Sequence, residues 1–163
     1  VTLPALQVRQ VAYTDPLVVP MLTELSHEYW SRYGDGHGFA DIPAEMHARS
    51  DFDPPDGGLV LLLADGEPIA GGAFRRYDRR TAELKRIWTH SAHRRRGLAR
   101  RVLTELEREI AARGYRRIYL TTGPRQPEAQ GLYLATGYTP LYDRHLPPER
   151  IGPHPFEKEL DLT

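Results

Sequence analysis

The sequence predicts an α/β (α+β) domain of about six to seven strands and about four helices, and three observations carry that prediction. Leu59-Val60-Leu61-Leu62-Leu63-Ala64 is a continuous apolar run, as expected of a strand covered on both faces. Asp65-Gly66 follows at once as a hairpin signal, so residues 69–74 return antiparallel, and residues 82–89 extend the meander beyond the charged connection at 76–80. Finally, Leu98, Val102, Leu106 and Ile110 lie four apart with Ala99 and Leu103 beside them, forming one apolar helical stripe immediately after a strand and an arginine-rich turn.

The remaining elements follow in order. Residues 6–11 alternate apolar and polar side chains, the pattern of a half-buried strand. Asp15 is an N-cap with Pro16 at the first helical position, and Val18, Leu22, Leu25 and Tyr29 recur at helical spacing, predicting a helix over residues 16–32. Residues 34–56 are rich in Gly, Pro, Asp and His and read as a connection or substrate-side lid, with a short helix at 43–48. Gly114 ends the helix that starts near Leu98, and Glu109 and Arg113 are spaced to pair along its exposed surface. A strand at 117–121, a helix at 127–135 stopped by Gly137, and extended pieces near 139–142 and 156–160 complete the chain, the last two separated by a Pro-rich loop.

The totals bound the class. With 163 residues the chain is one domain spanning 1–163, and 40% hydrophobic against 27% charged residues is ordinary globular composition. Lys plus Arg equals Asp plus Glu at 22 each, which argues against a dedicated nucleic-acid binder. The absence of cysteine excludes disulfides, thiolate metal sites and a cysteine nucleophile. No apolar run approaches the roughly 20 residues that cross a bilayer and no secretory segment is seen, so no membrane association and a cytoplasmic address are expected. The histidines lack a ligand spacing such as His-Glu-x-x-His, so no metal is expected.

The chemistry centres on residues 83–99. A strand, a basic turn and a helix N-terminus in that order leave backbone N–H groups unpaired and add positive dipole charge, a setting that suits a phosphate. The pattern Arg94-x-x-Gly97-x-Ala99 resembles the Arg/Gln-x-x-Gly-x-Gly/Ala pyrophosphate loop of the GNAT superfamily of N-acetyltransferases, and neither common nucleotide loop, Gly-x-x-x-x-Gly-Lys-Ser/Thr or Gly-x-Gly-x-x-Gly, occurs. Downstream, Ala129-x-x-Leu132-Tyr133-x-x-x-Gly137-Tyr138 resembles a second segment of that family, in the family's order and at its separation of one helix and one strand. Two departures stand out: Gln126 occupies the family's Asn position, and Ser91 stands where the family often has Pro.

The resemblance implies a mixed, mostly antiparallel sheet whose fourth and fifth strands splay apart to admit the pantetheine arm of acetyl-CoA (coenzyme A). It implies cofactor contacts from Ile87, Trp88 and Thr89, from Arg94, Arg95, Arg96, Gly97, Leu98, Ala99 and Arg100 at the pyrophosphate, and from Gln126. Tyr133 takes the position of the tyrosine that protonates the departing thiolate, a role that suits a phenol still protonated at neutral pH. The implied activity is N-acetylation of a primary amine of a small molecule or peptide by direct attack in a ternary complex, with a homodimer as a family-based expectation.

An amine acceptor must lose a proton before attack, and Glu83 is the first candidate base, because an uninterrupted strand puts Glu83, Lys85, Ile87 and Thr89 on one face. A simple ion pair to Lys85 or Arg75 is its competing role, and a bulge would change the phase. Glu28, Tyr29 and Tyr33, with His27 and Trp30, are candidates for the acceptor pocket, and His90 is expected in an exposed turn. Two competing classes are a non-catalytic acyl-CoA-binding sensor and a small nucleic-acid module using the arginine-rich turn.

Overall fold

Seven strands of a computed structural model, which describes residues 5–33, 50–124 and 126–160, form one sheet in the order β1-β2-β3-β4-β5-β7-β6. They are β1 Leu6–Gln10, β2 Gly58–Ala64, β3 Glu67–Arg76, β4 Thr81–Thr89, β5 Arg117–Thr122, β6 Thr139–Pro140 and β7 His154–Glu159. The first four form an antiparallel meander, β4 and β5 pair in parallel, and β7 lies antiparallel between β5 and β6. The described helices are α1 Val19–Tyr33, α2 Leu98–Ala112, α3 Pro127–Ala135 and the single-turn α4 Pro148–Ile151. The helix expected at 43–48 lies outside the described residues.

The apolar run of β2 is explained by two cores, one on each face of the sheet. Leu59, Leu61 and Leu63 pack with Met21 and Leu22 of α1, Phe52 and Trp88. Val60 and Leu62 turn the other way, toward Val102, Leu106 and Ile110 of α2 and Phe156 of β7. All seven residues of β2 are buried, and each leucine so placed contributes about 1.5–3 kcal/mol. The chain enters α1 through a 3₁₀ turn, Pro16–Val18, in which the Asp15 carboxylate accepts the Leu17 N–H at 2.9 Å.

Two local expectations change. The Glu109–Arg113 pair forms at 2.8 Å but is partly buried, because the Arg113 guanidinium also donates to the carbonyls of Pro55 and Gly57 and lies 5.5 Å from the Phe74 ring centre. It therefore fastens the segment before β2 to the end of α2, a tertiary role that the exposed-helix reading lacks.

The second change concerns β4. Lys85 pairs with Ala73 but Trp88 pairs with Gly71, so Arg86 and Ile87 together face Gly72, and Arg86 sits at φ 61. This bulge reverses the alternation midway along the strand. Glu83 and Arg86 lie on the α1 side with Trp88, whereas Ile87 packs against the α2 core. The expected common face for Glu83, Lys85, Ile87 and Thr89 is thus broken between Lys85 and Ile87.

Candidate active site

The parallel pairing of β4 and β5 runs only from Thr81–Arg117 to Glu83–Tyr119. Beyond it the strands splay, and a cleft of about 560 Å³ opens between them. Leu84, Lys85 and Ile87 line it from β4, Leu120 to Gly123 from the end of β5, and Tyr133 from α3. Leu25 and Glu28 of α1 stand at one side, and Glu149 and Gly152 of the C-terminal segment close another. Because the cleft separates two strands at the middle of a sheet, the β5-facing main chain of β4 has no strand opposite it there, leaving hydrogen-bonding groups for an extended ligand.

Tyr133 is held by two neighbouring aromatic rings. Tyr138 lies 5.5 Å away and Phe156 5.6 Å away, centre to centre, and the residue is only 5% exposed. Its hydroxyl has no hydrogen-bond partner among the described residues, and burial pushes the phenol up, so it keeps its proton throughout the neutral range. Gln126 also lines the cleft, but its side-chain oxygen is turned toward the end of β5, accepting the Gly123 N–H at 2.9 Å. Gln126 caps β5 and begins α3 rather than capping that helix with its side chain.

The arginine-rich turn has an uncommon backbone. His90 opens a 3₁₀ turn, Ser91–His93, and its Nδ1 accepts the Ala92 N–H at 3.0 Å. Two left-handed residues follow, Arg95 at φ 64 and Gly97 at φ 76, and the first α2 bond shown at this end runs from the Arg101 N–H to the Gly97 carbonyl at 3.2 Å. The N–H groups of Leu98, Ala99 and Arg100 precede it and have no helical acceptor. A side-chain methyl at Gly97 would meet nothing within 4 Å, so the loop is open from outside. Residues 94–97 are exposed; Arg94 is paired with Glu28 at 3.6 Å, and Arg96 reaches His93 at 3.4 Å. An anion fits this arrangement of free amides, open approach and clustered guanidinium groups.

These features decide what kind of domain this is once the chain is compared with known proteins. The sequence profile of the acetyltransferase (GNAT) family matches residues 20–138, most of the chain. The chain belongs to the GNAT acetyltransferase family. The uncharacterized N-acetyltransferase YsnE of Bacillus subtilis (strain 168) is 36% identical over 113 residues, covering 60% of this chain and 75% of YsnE. The GNAT-family acetyltransferase of Staphylococcus aureus Mu50 superposes with a TM-score of 0.76 at 14% identity, over 96% of this chain and 100% of that one. The PaiA N-acetyltransferase of Thermoplasma acidophilum, solved in complex with coenzyme A, gives 0.72 at 12% identity over 96% and 99%.

Within this family member the expected site residues separate. Ile87, Tyr133, Gln126 and Glu28 meet around the cleft, and residues 94–100 form the turn and the first residues of α2, joined to the cleft lining through the Arg94–Glu28 pair. Trp88 is buried on the α1 side, where its indole N–H donates to Glu24 at 2.9 Å, so only its main chain is available. Glu83 is 7% exposed and does not line the cleft; Arg75 Nε donates to it at 2.9 Å and Lys85 Nζ lies 3.6 Å away. Lys85 does line the cleft, and burial makes its ammonium easier to deprotonate. The backbones of Tyr29 and Tyr33 belong to α1, and their side chains lie outside the described residues. His90 is partly covered rather than exposed.

Sequence reasoning missed Glu24. One of its oxygens accepts the Trp88 indole and the Ser91 backbone N–H, and the other accepts the Ser91 hydroxyl at 2.7 Å. Its only sequence signal was an acidic residue near the apolar stripe of α1, one turn before Glu28. Among the described residues no group of three or more His, Asp or Glu converges as a metal would require, and no helix is long and apolar enough to cross a membrane.

Proposed function

We propose that the protein is an acyl-CoA-dependent N-acetyltransferase acting on a primary amine of a small molecule or peptide, by direct attack within a ternary complex. The observation that carries this reading is the cleft between β4 and β5, with Tyr133 on its wall and the open amide loop at residues 94–99 beside it. Acetyl-CoA supplies the acyl group as a thioester. The free N–H groups of residues 98–100 and the guanidinium groups of Arg94, Arg95, Arg96 and Arg100 hold the diphosphate, and the unpaired edge of β4 around Ile87 receives the pantetheine arm as an added strand would be received.

In this reading Tyr133 is the proton donor to the departing sulfur. Its packed ring fixes the hydroxyl, and its raised pKa keeps the proton in place until sulfur develops charge. A main-chain N–H freed near the β4 bulge polarises the thioester carbonyl, a contribution of roughly 3–4 kcal/mol where such donors have been removed elsewhere. Glu28, at the α1 side of the cleft, contacts the acceptor. Glu83 is a buried partner of Arg75 that sets the position of Lys85. A cytoplasmic setting accords with acetyl-CoA as donor.

The test is acetyl-CoA binding by calorimetry together with release of free CoA across a panel of amines. Tyr133→Phe is expected to bind acetyl-CoA as the parent does while turnover falls by about 10²-fold, within the usual range for a general acid. Unchanged turnover would remove the assignment of Tyr133, and binding without turnover on any amine would favour the sensor alternative.

A further inference from the structure

The turn at residues 90–94 connects the end of β4 to the diphosphate loop, and α1 grips it from the side. Glu24 takes three hydrogen bonds of 2.7–3.0 Å there, one from the indole of Trp88 and two from Ser91. One helical turn later Glu28 pairs with Arg94 at 3.6 Å. Bonds to an ionised carboxylate are about twice as strong as neutral ones, and Glu24 stays ionised: burial works to raise its pKa, but the bonds from Ser91 and Trp88 outweigh that and bring it below the usual carboxylate value.

These bonds add to the turn's own, His93 N–H to His90 carbonyl at 2.8 Å and Ala92 N–H to His90 Nδ1 at 3.0 Å, at the entry to a strained stretch of backbone. Arg95 at φ 64 and Gly97 at φ 76 are both left-handed, and a non-glycine residue in that region is strained. The C-terminal side of this stretch is fixed by α2, where Leu98 is buried. The N-terminal side begins at Ser91, the first residue of the 3₁₀ turn, where a proline would set φ without help. Ser91 has no such restraint of its own; its two donors reach Glu24 instead. His90, at φ −55 and ψ 137, already has the extended conformation that a following proline requires.

We propose that Glu24 is a positioning residue for the diphosphate loop, fixing the Ser91 turn to α1 so that residues 94–99 are presented ready for the cofactor, in the role a proline at position 91 would fill. This rests on the reading of residues 94–99 as the diphosphate site. It also joins that loop mechanically to α1, whose Leu25 and Glu28 line the acceptor side of the cleft.

The experiment is calorimetric titration of coenzyme A into the parent, Glu24→Ala, Glu24→Gln and the double variant Glu24→Ala/Ser91→Pro, each with its melting temperature. Glu24→Ala is expected to weaken binding on the order of tenfold through lost pre-organisation. Glu24→Gln, which keeps an acceptor for the Trp88 and Ser91 N–H groups, stays within about threefold of the parent. The double variant recovers most of the loss, a result that a merely stabilising role for Glu24 does not produce. If the parent binds no coenzyme A, the diphosphate reading and this inference fall together. If the parent binds and Glu24→Ala binds equally well, or the double variant stays as weak as Glu24→Ala, the positioning role is overturned while the diphosphate reading stands. Should Glu24→Ala melt below the assay temperature, Ser91→Ala removes one donor alone: weakening of about threefold supports the proposal, and none overturns it.

Discussion

Gly97→Ala separates the cost of backbone conformation from the cost of blocking an anion. At φ 76 the residue is left-handed, which disfavours any L side chain by about 1–2 kcal/mol, partly offset because alanine restricts the unfolded chain. A methyl there would touch nothing within 4 Å, so no steric term is added and the net loss is about 1 kcal/mol, or roughly 2–4 °C in melting temperature for a chain of this size. Gly114 is the matched control, with φ 93 and likewise nothing within 4 Å, at the far end of the same helix. Gly114→Ala should lose a similar few degrees and bind coenzyme A as the parent does. Gly97→Ala should lose the same stability and, with a methyl intruding where a diphosphate approaches the amides, at least tenfold in affinity, about 1.4 kcal/mol. Scanning calorimetry and isothermal titration on the pair measure both quantities. Equal coenzyme A affinity in the two variants would refute the assignment of residues 94–99.

Glu83→Gln is expected to leave turnover within about threefold, since the carboxylate is held by Arg75 away from the cleft; a loss of 10² or more, measured by CoA release with folding intact, would restore it as the base. The depressed pKa of Glu24 makes its charged form a source of stability that is present above its ordinary value of 4.5 and lost as pH falls through the lower folded-state value. The stability difference between the parent and Glu24→Gln should therefore be largest above pH 4.5 and shrink below it in acid denaturation, and a constant gap would contradict this. Leu106→Ala, at a side chain wholly buried between α2 and the sheet, should destabilise by about 2–5 kcal/mol in urea unfolding without changing which ligands bind.

What the sequence disclosed was local in origin. Pro127 at the first helical position and Gly137 beyond the end bracket α3 at residues 127–135, and the unbroken apolar run of β2 follows from needing leucine on two faces at once. The β4 bulge was hidden because nothing in Lys85-Arg86-Ile87 favours a left-handed residue. Across the strand pair, a methyl at Gly72 would come within 2.7 Å of both the Ile87 and the Leu106 side chains, so the residue facing the bulge sits in a space that suits glycine. With the bulge unseen, Glu83 and Lys85 were placed on one face with Ile87 and Thr89. Glu24 and Arg113 were equally illegible as tertiary ties, because their partners lie 64 to 67 and 56 to 58 residues away in the chain. The amide loop, by contrast, was readable, since its chemistry is set by a strand, a turn and a helix start that are contiguous.

The placement of β7 has a bearing on synthesis. His154–Glu159 sits inside the sheet, bonded to β5 on one side and to β6 on the other, although it comes last in the chain among the described strands. While a ribosome is still making the chain, β5 therefore waits with one border uncovered, and the hydrophobic pocket that Phe156 fills beneath Tyr133 stays empty. A nascent molecule halted before this point would expose an adhesive rim to its neighbours, so stalled or prematurely terminated products are expected to clump rather than persist as soluble fragments.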